Sequence, residues 1–267
     1  MVRAVQLTAF GPESVHARND CVAVEAPLEV RLNGEPFAVI MRTPGDDEAL
    51  ALGFLLSESV IETAVDVAET VSWPGDPTLG NRINLVLTPD ATERVATALA
   101  GPRRVTMSSA CGLCGRVTID SLRREGAPVP IRWSVPAAIL HALPSSLRAT
   151  QQGFAETGGV HAAGLFGRDG TLVTSAEDVG RHNAVDKVVG RMLRERRLPL
   201  EDMLLAVSGR VSFEIVQKAL IAGIPLVAAV SAPSSLAIEC AEIGGLTLAA
   251  FVRDGRFNVY AHPERIE

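Results

Sequence analysis

Two cysteines in the segment Ser109-Ala-Cys-Gly-Leu-Cys-Gly are the residues of this chain best suited to chemistry. Each is followed by a glycine without a Cβ, so the backbone can turn sharply and bring the thiols of Cys111 and Cys114 to one side. The next residues have the composition of a helix, which places Cys114 near a positive helix end that favours the thiolate. Such a pair is compatible with half of a zinc site, a redox disulfide or a nucleophile that carries sulfur. Two thiols alone do not distinguish these three possibilities.

Composition limits the class of protein around this pair. The 267 residues are enough for one large domain or two ordinary ones, and 47% hydrophobic with 4% aromatic content favours an α/β protein packed with Ala, Val and Leu. A net charge of −6 argues against bulk nucleic-acid binding. No apolar stretch approaches the ~20 residues of a membrane span, and no signal-peptide pattern opens the chain, so we expect a cytoplasmic protein without membrane contact.

The cysteine count is also informative. Four cysteines in a chain of this length do not form a disulfide scaffold. Cys21 and Cys240 stand among apolar residues and are predicted to be buried and inert.

The first half has the pattern of a small α+β domain. An Asn33-Gly34 turn between two alternating segments predicts a hairpin, and Asp46 or Asp47 is expected to cap a helix. The predicted hairpin strands are 29–33 and 36–41, a further strand is 82–87, and the helices are 49–57 and 89–100. A Pro-rich stretch at 126–136 predicts the boundary between an N-terminal domain, residues 1–130 ending in the Cys-x-x-Cys loop, and an α/β domain, residues 131–267.

The second half alternates helices and strands. Two helical stretches lead into a predicted hairpin, followed by an amphipathic helix with Val185, Val188, Val189 and Met192 on one stripe. Strands at 203–207, 225–230 and 246–252 then alternate with helices at 212–222 and 234–243. This spacing predicts a parallel sheet covered by helices on both faces, in three layers.

Polar groups follow two of these strands, at the edge where open α/β sheets collect ligands. Hydroxyls and backbone N–H groups at helix starts receive phosphate, and an arginine adds a bidentate contact. The residues concerned are Ser208, Gly209 and Arg210 after the first strand, and Ser231, Ser234 and Ser235 after the second. Each turn alone is an ordinary helix cap, but both together predict a ligand crevice. No Walker or GxGxxG pattern is present, so ATP and NAD are not indicated.

Two further segments are predicted to border this crevice. Arg181 and His182 fall in the first turn of a helix, where a cation stabilises the helix poorly and an anionic ligand would explain it. The third wall is a turn after the last strand, formed by Phe251, Val252, Arg253, Asp254 and Gly255. His161 or His182 could also complete a zinc site with the two cysteines, but the His-x-Glu pattern of zinc deaminases is missing, so no metal site is predicted.

Taken together, six segments resemble the formate dehydrogenase accessory sulfurtransferase family (FdhD), in the family's order from about residue 25 to the C-terminus. They are Met41-Arg-Thr-Pro-Gly-Asp-Asp-Glu, Ser109-Ala-Cys-Gly-Leu-Cys-Gly, Thr157-Gly-Gly-Val-His-Ala-Ala, Glu177-Asp-Val-Gly-Arg-His-Asn-Ala-Val-Asp-Lys, Ser208-Gly-Arg-Val-Ser-Phe-Glu and Ser231-Ala-Pro-Ser-Ser-Leu-Ala. Six collinear matches are far more specific than one cysteine pair.

The resemblance implies a function, a fold and partners. It implies a sulfurtransferase that takes persulfide sulfur from a cysteine desulfurase. The sulfur passes to the molybdenum of a bis(molybdopterin guanine dinucleotide) cofactor destined for formate dehydrogenase, with Cys111 as carrier and Cys114 as helper. It also implies a cytidine-deaminase-like C-terminal domain, a homodimer, and a site in which a guanine nucleotide mimics part of the cofactor. The alternative is a non-catalytic chaperone for the cofactor, with a structural or zinc-binding cysteine pair.

Overall fold

A computed structural model describes residues 2–12, 14–73, 80–99, 129–130, 132–253 and 255–267, without the side chains of residues 98 and 99. The first half contains a two-stranded sheet and a four-stranded sheet in the order β4-β3-β6-β5, in which only β3 and β6 pair in parallel. Its elements are β1 (Val2–Phe10), β2 (Val15–Ala23), β3 (Ala26–Leu32), β4 (Glu35–Arg42), α1 (Asp47–Ser57), β5 (Val67–Ser72), β6 (Arg82–Leu87) and α2 (Pro89–Leu99).

The second half is built on a six-stranded mixed sheet, in the order β12-β11-β10-β9-β7-β8. Its elements are α3 (Ala137–Arg148), α4 (Gln152–Thr157), β7 (His161–Gly167), β8 (Leu172–Asp178), α5 (Arg181–Arg194), β9 (Met203–Val207), α6 (Phe213–Ile221), β10 (Leu226–Ala229), α7 (Ser235–Gly244), β11 (Thr247–Arg253) and β12 (Arg256–Ala261). The central strands β9, β10 and β11 are parallel, as the sequence predicts. β7 and β12 run antiparallel to these three strands, and each forms a hairpin, β7 with β8 and β12 with β11.

Helices cover both faces of this sheet. Leu140, Leu143 and Leu147 of α3 are buried with Phe166 and Leu204 on one face. The predicted apolar stripe of α5 is buried on the other face, where α6 and α7 pack together. The three-layer arrangement of the second half follows from these two helix layers.

The two halves share one hydrophobic cluster, which runs from the four-stranded sheet through α1 and α5 to the six-stranded sheet. The two helices meet at glycines. A Cβ added to Gly190 would lie 1.9 Å from the carbonyl oxygen of Ala49, and one added to Gly53 would lie 2.0 Å from that of Asp186. Only glycine permits this approach, which fixes α5 against the first half.

A buried ionic network fixes the start of α5 as well. Lys187 Nζ lies 2.8 Å from Asp178 Oδ2 and donates to the carbonyl of Thr43 at 3.0 Å. Asn183 Nδ2 donates to Asp178 Oδ1 at 2.9 Å and to the carbonyl of Met41 at 2.8 Å. Much of the charged motif that contains Arg181 and His182 therefore has a structural role, because its Asp, Asn and Lys side chains join the two halves.

Several details differ from the sequence-based expectations. Residues 137–148 form one helix, α3, that continues past Pro144, and the short α4 follows at 152–157. Asp46 precedes α1 without a side-chain capping bond, and its carboxylate pairs instead with Arg191. Cys21 and Cys240 are half-buried, so the expectation that both are buried is wrong. Within the described ranges, no helix combines the length and apolar character needed to cross a bilayer.

Candidate functional site

The carboxyl ends of β9, β10 and β11 lie side by side at one edge of the six-stranded sheet. Backbone hydrogen bonds continue beyond the strands. Ser234 N donates to the carbonyl of Val211 at 2.9 Å, and Phe251 N donates to that of Ser231 at 3.2 Å. The three polar segments singled out in the sequence are therefore neighbours.

His161 and Arg181 meet at Gly209. His161 begins β7, which is antiparallel to β9, so it lies at the same edge as the segment after β9. A Cβ on Gly209 would lie 3.3 Å from His161 Nδ1 and 3.8 Å from Arg181 Cδ, so both side chains rest against the glycine backbone. Arg181 Nε is buried and has no hydrogen-bond partner among the described residues. A buried N–H donor without an acceptor destabilises the folded protein unless a ligand accepts its hydrogen bond.

His182 lies at the start of two helices. Its Nε2 atom is 3.1 Å from Ser212 Oγ and 3.8 Å from Glu214 Oε2. Ser212 occupies the N-cap position of α6, but its hydroxyl makes no cap hydrogen bond. Beneath this group, Lys218 Nζ donates to both carboxylate oxygens of Asp186 at 2.6 and 2.8 Å. We call His161, Arg181, His182, Ser212 and Glu214 the edge cluster.

The edge cluster keeps its imidazoles neutral. Burial, followed by the positive charges of Arg181 and Lys218, lowers the pKa of His182 to about 4. Burial, followed by the charges of Arg181 and Arg210, also lowers the pKa of His161. The cluster thus combines the Arg181 guanidinium with two neutral imidazoles and the Glu214 carboxylate, and the exposed Arg210 beside it adds a second cation that an anionic ligand could contact.

A pocket of about 680 Å³ opens at the same edge, on the α3 side of the sheet. We call it the rim pocket. Its lining includes His141, Arg148, Phe154, His161, Ser208 and Arg253. The guanidinium carbon of Arg148 lies 4.2 Å from the centre of the Phe154 ring, a cation–π contact. Because His161 lines the rim pocket and belongs to the edge cluster, the two form one continuous site.

The other predicted binding residues occupy varied positions. Arg210 is exposed beside the edge cluster, and the Ser208 hydroxyl accepts a hydrogen bond from Ala162 N at 2.8 Å. Ser234 caps α7 by accepting from Ala237 N at 3.3 Å, and Ser235 is exposed in its first turn. These serines therefore fulfil ordinary backbone roles as well.

The predicted third wall is only partly at the surface. Arg253 and Gly255 are exposed, Phe251 is half-buried with φ of 54°, and Val252 is 1% exposed and belongs to the core. Asp254, Cys111 and Cys114 lie outside the described residues. Among the residues that the structure describes, no group of three or more His, Cys, Asp or Glu side chains is placed to hold a metal ion.

Sequence reasoning missed the α3–α4 side of the site. Arg148 and Phe154 stand in helical stretches without a motif, and only the fold brings them to the strand ends. Glu177 fixes α4 in this position. Its carboxylate accepts hydrogen bonds from Gly153 N and Phe154 N, each at 2.8 Å, and so holds the start of α4 against β8. Glu214 was missed as well, although its position next to a predicted N-cap could have drawn attention to it.

Comparison with known proteins gives a consistent result. The model of the FdhD/NarQ family matches residues 23–267. A protein named sulfur carrier protein FdhD from Streptomyces avermitilis is 48% identical over 262 residues, covering 95% of this chain and 91% of the relative. The protein of that name from Nocardia farcinica is 47% identical over 266 residues, covering 99% of this chain and 93% of its own length.

The fold also has a solved counterpart. A crystal structure from Desulfotalea psychrophila, described as a formate dehydrogenase accessory protein, superposes with a TM-score of 0.79 at 27% identity. The match covers 100% of this chain and 99% of the other. The whole architecture, including the mixed sheet and its helix layers, is thus shared with that protein.

Proposed function

Since the chain belongs to the FdhD/NarQ family, we propose that it is a sulfur carrier in the maturation of formate dehydrogenase. The observation that carries this proposal is the near-complete match to relatives named sulfur carrier protein FdhD, one of them 49% identical over 258 residues. The solved counterpart described as a formate dehydrogenase accessory protein supports the same assignment.

The proposed chemistry is a persulfide relay on Cys111. The Cys111 thiolate attacks the outer sulfur of a persulfide on a cysteine desulfurase, the donor S–S bond breaks, and the donor cysteine leaves as a thiolate. Delivery breaks the new S–S bond and returns Cys111 as a thiolate, so the acceptor supplies the electron pair. The acceptor is the molybdenum of the bis(molybdopterin guanine dinucleotide) cofactor, and Cys114 assists. On this proposal the protein is a sulfurtransferase.

The continuous site is proposed to hold the guanine dinucleotide part of that substrate. Arg181, with its unpaired buried N–H, and the neighbouring Arg210 supply positive charge for phosphates, and the strand ends supply backbone N–H groups at helix starts. The rim pocket is large enough for a nucleotide base and sugar, with the Phe154 ring and four histidine or arginine side chains on its wall. A guanine nucleotide should therefore bind as a fragment of the cofactor.

The domain layout and oligomeric state belong to the same proposal. The strand order of the second half, with helices on both faces, supports the cytidine-deaminase-like assignment for residues 131–267. The boundary at residue 130 and the homodimer rest on the family resemblance.

Calorimetric titration with guanosine diphosphate tests the binding site. Replacing Arg148 or Arg210 with alanine should weaken binding at least roughly tenfold, since a charge-assisted hydrogen bond is worth about 1.5–3 kcal/mol. Arg194→Ala is the matched control, because Arg194 is at the far end of α5 and pairs with Glu48 at 3.1 Å. Absence of binding at millimolar nucleotide, or equal weakening by the control, would overturn the assignment.

Activity in cells tests the chemistry. In a strain lacking the native protein, Cys111→Ser should yield formate dehydrogenase that contains its cofactor but lacks the added sulfur. Cys114→Ser should be milder, and Cys240→Ser should retain transfer. If Cys111→Ser restores full formate dehydrogenase activity, the persulfide relay is wrong. Stoichiometric zinc that is lost on substituting either Cys111 or Cys114 would instead favour the cofactor chaperone.

A further inference from the structure

The two-stranded sheet β1–β2, which we call the arm, packs against little of the rest of the protein. Its strands pair over nine residues each in unbroken register, from Val2 opposite Ala23 to Phe10 opposite Val15. No third strand joins it among the described residues. Phe10 is 80% exposed and Val15 62% exposed. Among the described helices, α4 makes the most extensive contact with the arm, near its base, where Ala23 lies against Gly159.

An isolated two-stranded hairpin is marginally stable in water, and a sheet normally needs a third strand or a packed face. Long free edges are usually protected by charged side chains, above all lysine, or by proline, a β-bulge or a covering segment. The arm has an unbroken register and neither proline nor lysine, and on β2 the charges of Arg18 and Asp20 offset each other in an ion pair of 3.2 Å. The first five residues of β2, from Val15 to Asn19, are all exposed. The free edge of β2 can therefore pair with another strand.

We propose that this strand is β2 of a second copy of the chain, paired antiparallel about a two-fold axis at Asn19. This inference rests on the proposed homodimer and specifies which surface forms its interface. The register places Arg18 opposite the partner's Asp20, and the symmetry repeats this pair. Opposite charges across a strand pair are stabilising, and each such pair contributes about 0.2–1 kcal/mol. Pairing two β1 strands about Gln6 would instead oppose Arg3 to the partner's Ala9 and form no charge pair.

The pairing also connects the arm with the functional site. Val15 at the tip of one arm lies opposite the partner's Ala23. Ala23 lies against Gly159, with its Cβ 3.4 Å from the position of a Cβ on that glycine, and Gly159 lines the rim pocket. The apolar tip formed by Phe10 and Val15 thus reaches the rim of the partner's pocket. The second copy contributes to each site.

Disulfide trapping tests the register. Starting from Cys21→Ser, Cys111→Ser, Cys114→Ser protein, we would add Asn19→Cys or, as the matched control, Gln6→Cys. Asn19 and Gln6 are paired within one arm and both are exposed. Across the proposed axis the two residues at 19 are about 5 Å apart, whereas those at 6 are about 14 Å apart, beyond the roughly 7 Å limit for a disulfide.

Mild oxidation should cross-link most of the Asn19→Cys protein and leave Gln6→Cys at the level of the parent without an added cysteine. In sedimentation, Arg18→Asp should weaken the dimer roughly tenfold, and the swap Arg18→Asp, Asp20→Arg should restore it. If the dimer cross-links through Gln6→Cys rather than Asn19→Cys, or if neither charge variant changes its dissociation constant, this interface alone is overturned. A monomeric parent protein overturns the proposed homodimer as well, and neither result bears on the persulfide relay.

Discussion

Replacing Gly190 with alanine should destabilise the protein, because the two halves meet backbone to backbone at this position. The added Cβ would lie 1.9 Å from the carbonyl oxygen of Ala49 and 2.8 Å from the amide nitrogen of Gly53. Ordinary contact begins at 3.4 Å, so α1 and α5 would have to separate by about 1.5 Å. Such a shift loosens the shared core over both helices.

The magnitude follows from two opposing effects. Alanine gains about 1 kcal/mol over glycine inside a helix. Overpacking costs about 1–3 kcal/mol, and more where the obstructing atoms cannot move aside. Because the obstruction here is backbone, we place the cost above that range and expect the free energy of unfolding to fall by about 2–3 kcal/mol. This is a large share of the roughly 5–15 kcal/mol typical of a folded protein.

Urea denaturation followed by tryptophan fluorescence measures this change, since Trp73 and Trp133 report on the two halves. Gly244→Ala is the matched control. Its Cβ would lie 2.5 Å from Leu220 Cδ1, the end of a flexible side chain that can rotate away, so we expect a loss below about 1 kcal/mol. A Gly190→Ala protein as stable as the parent, or equal losses in the two variants, would refute the tight helix contact.

Three further predictions concern the site. The pKa of His182 is lowered to about 4 in the folded protein, against 6.5 in the unfolded chain. The free energy of unfolding should therefore fall by up to about 3 kcal/mol as the pH drops from 6.5 to 4, because the unfolded chain binds the proton first. His182→Gln should flatten this dependence in acid denaturation. Lys218→Met should raise the His182 pKa in an NMR titration and cost about 3 kcal/mol by leaving Asp186 unpaired; an unshifted pKa would exclude Lys218 as a cause. Glu177→Gln should weaken guanosine diphosphate binding several-fold, because it loosens the start of α4, and unchanged affinity would separate α4 from the binding site.

The sequence predicts those parts of the fold that depend on local signals. The Asn33-Gly34 turn has positive φ at both residues, as a tight hairpin turn requires, and β3 and β4 flank it. The apolar stripe of α5 and the three parallel strands were likewise predictable from periodicity. The arm was not predicted, because β2 is exposed over its first five residues and lacks the regular alternation of a strand with one buried face.

The site was predictable only in part, for a related reason. Residues that directly follow strands can be placed at the sheet edge from topology alone, as for Ser208 and Arg253. Arg148 and Phe154 depend on how α3 and α4 cross the sheet, which no local pattern encodes. In the charged motif around α5, sequence alone could not separate Arg181 and His182, which face the site, from Asp178 and Lys187, which join the two halves.

The most direct test of the central claim is the mass of the Cys111-containing peptide after incubation with a cysteine desulfurase and free cysteine. The account predicts a gain of one sulfur atom on Cys111 that is lost on reduction. It also predicts that this sulfur is absent from Cys111→Ser and present at the normal level in Cys240→Ser. A peptide that never gains sulfur while the desulfurase turns over, or sulfur that persists in Cys111→Ser, would contradict the proposed role of Cys111.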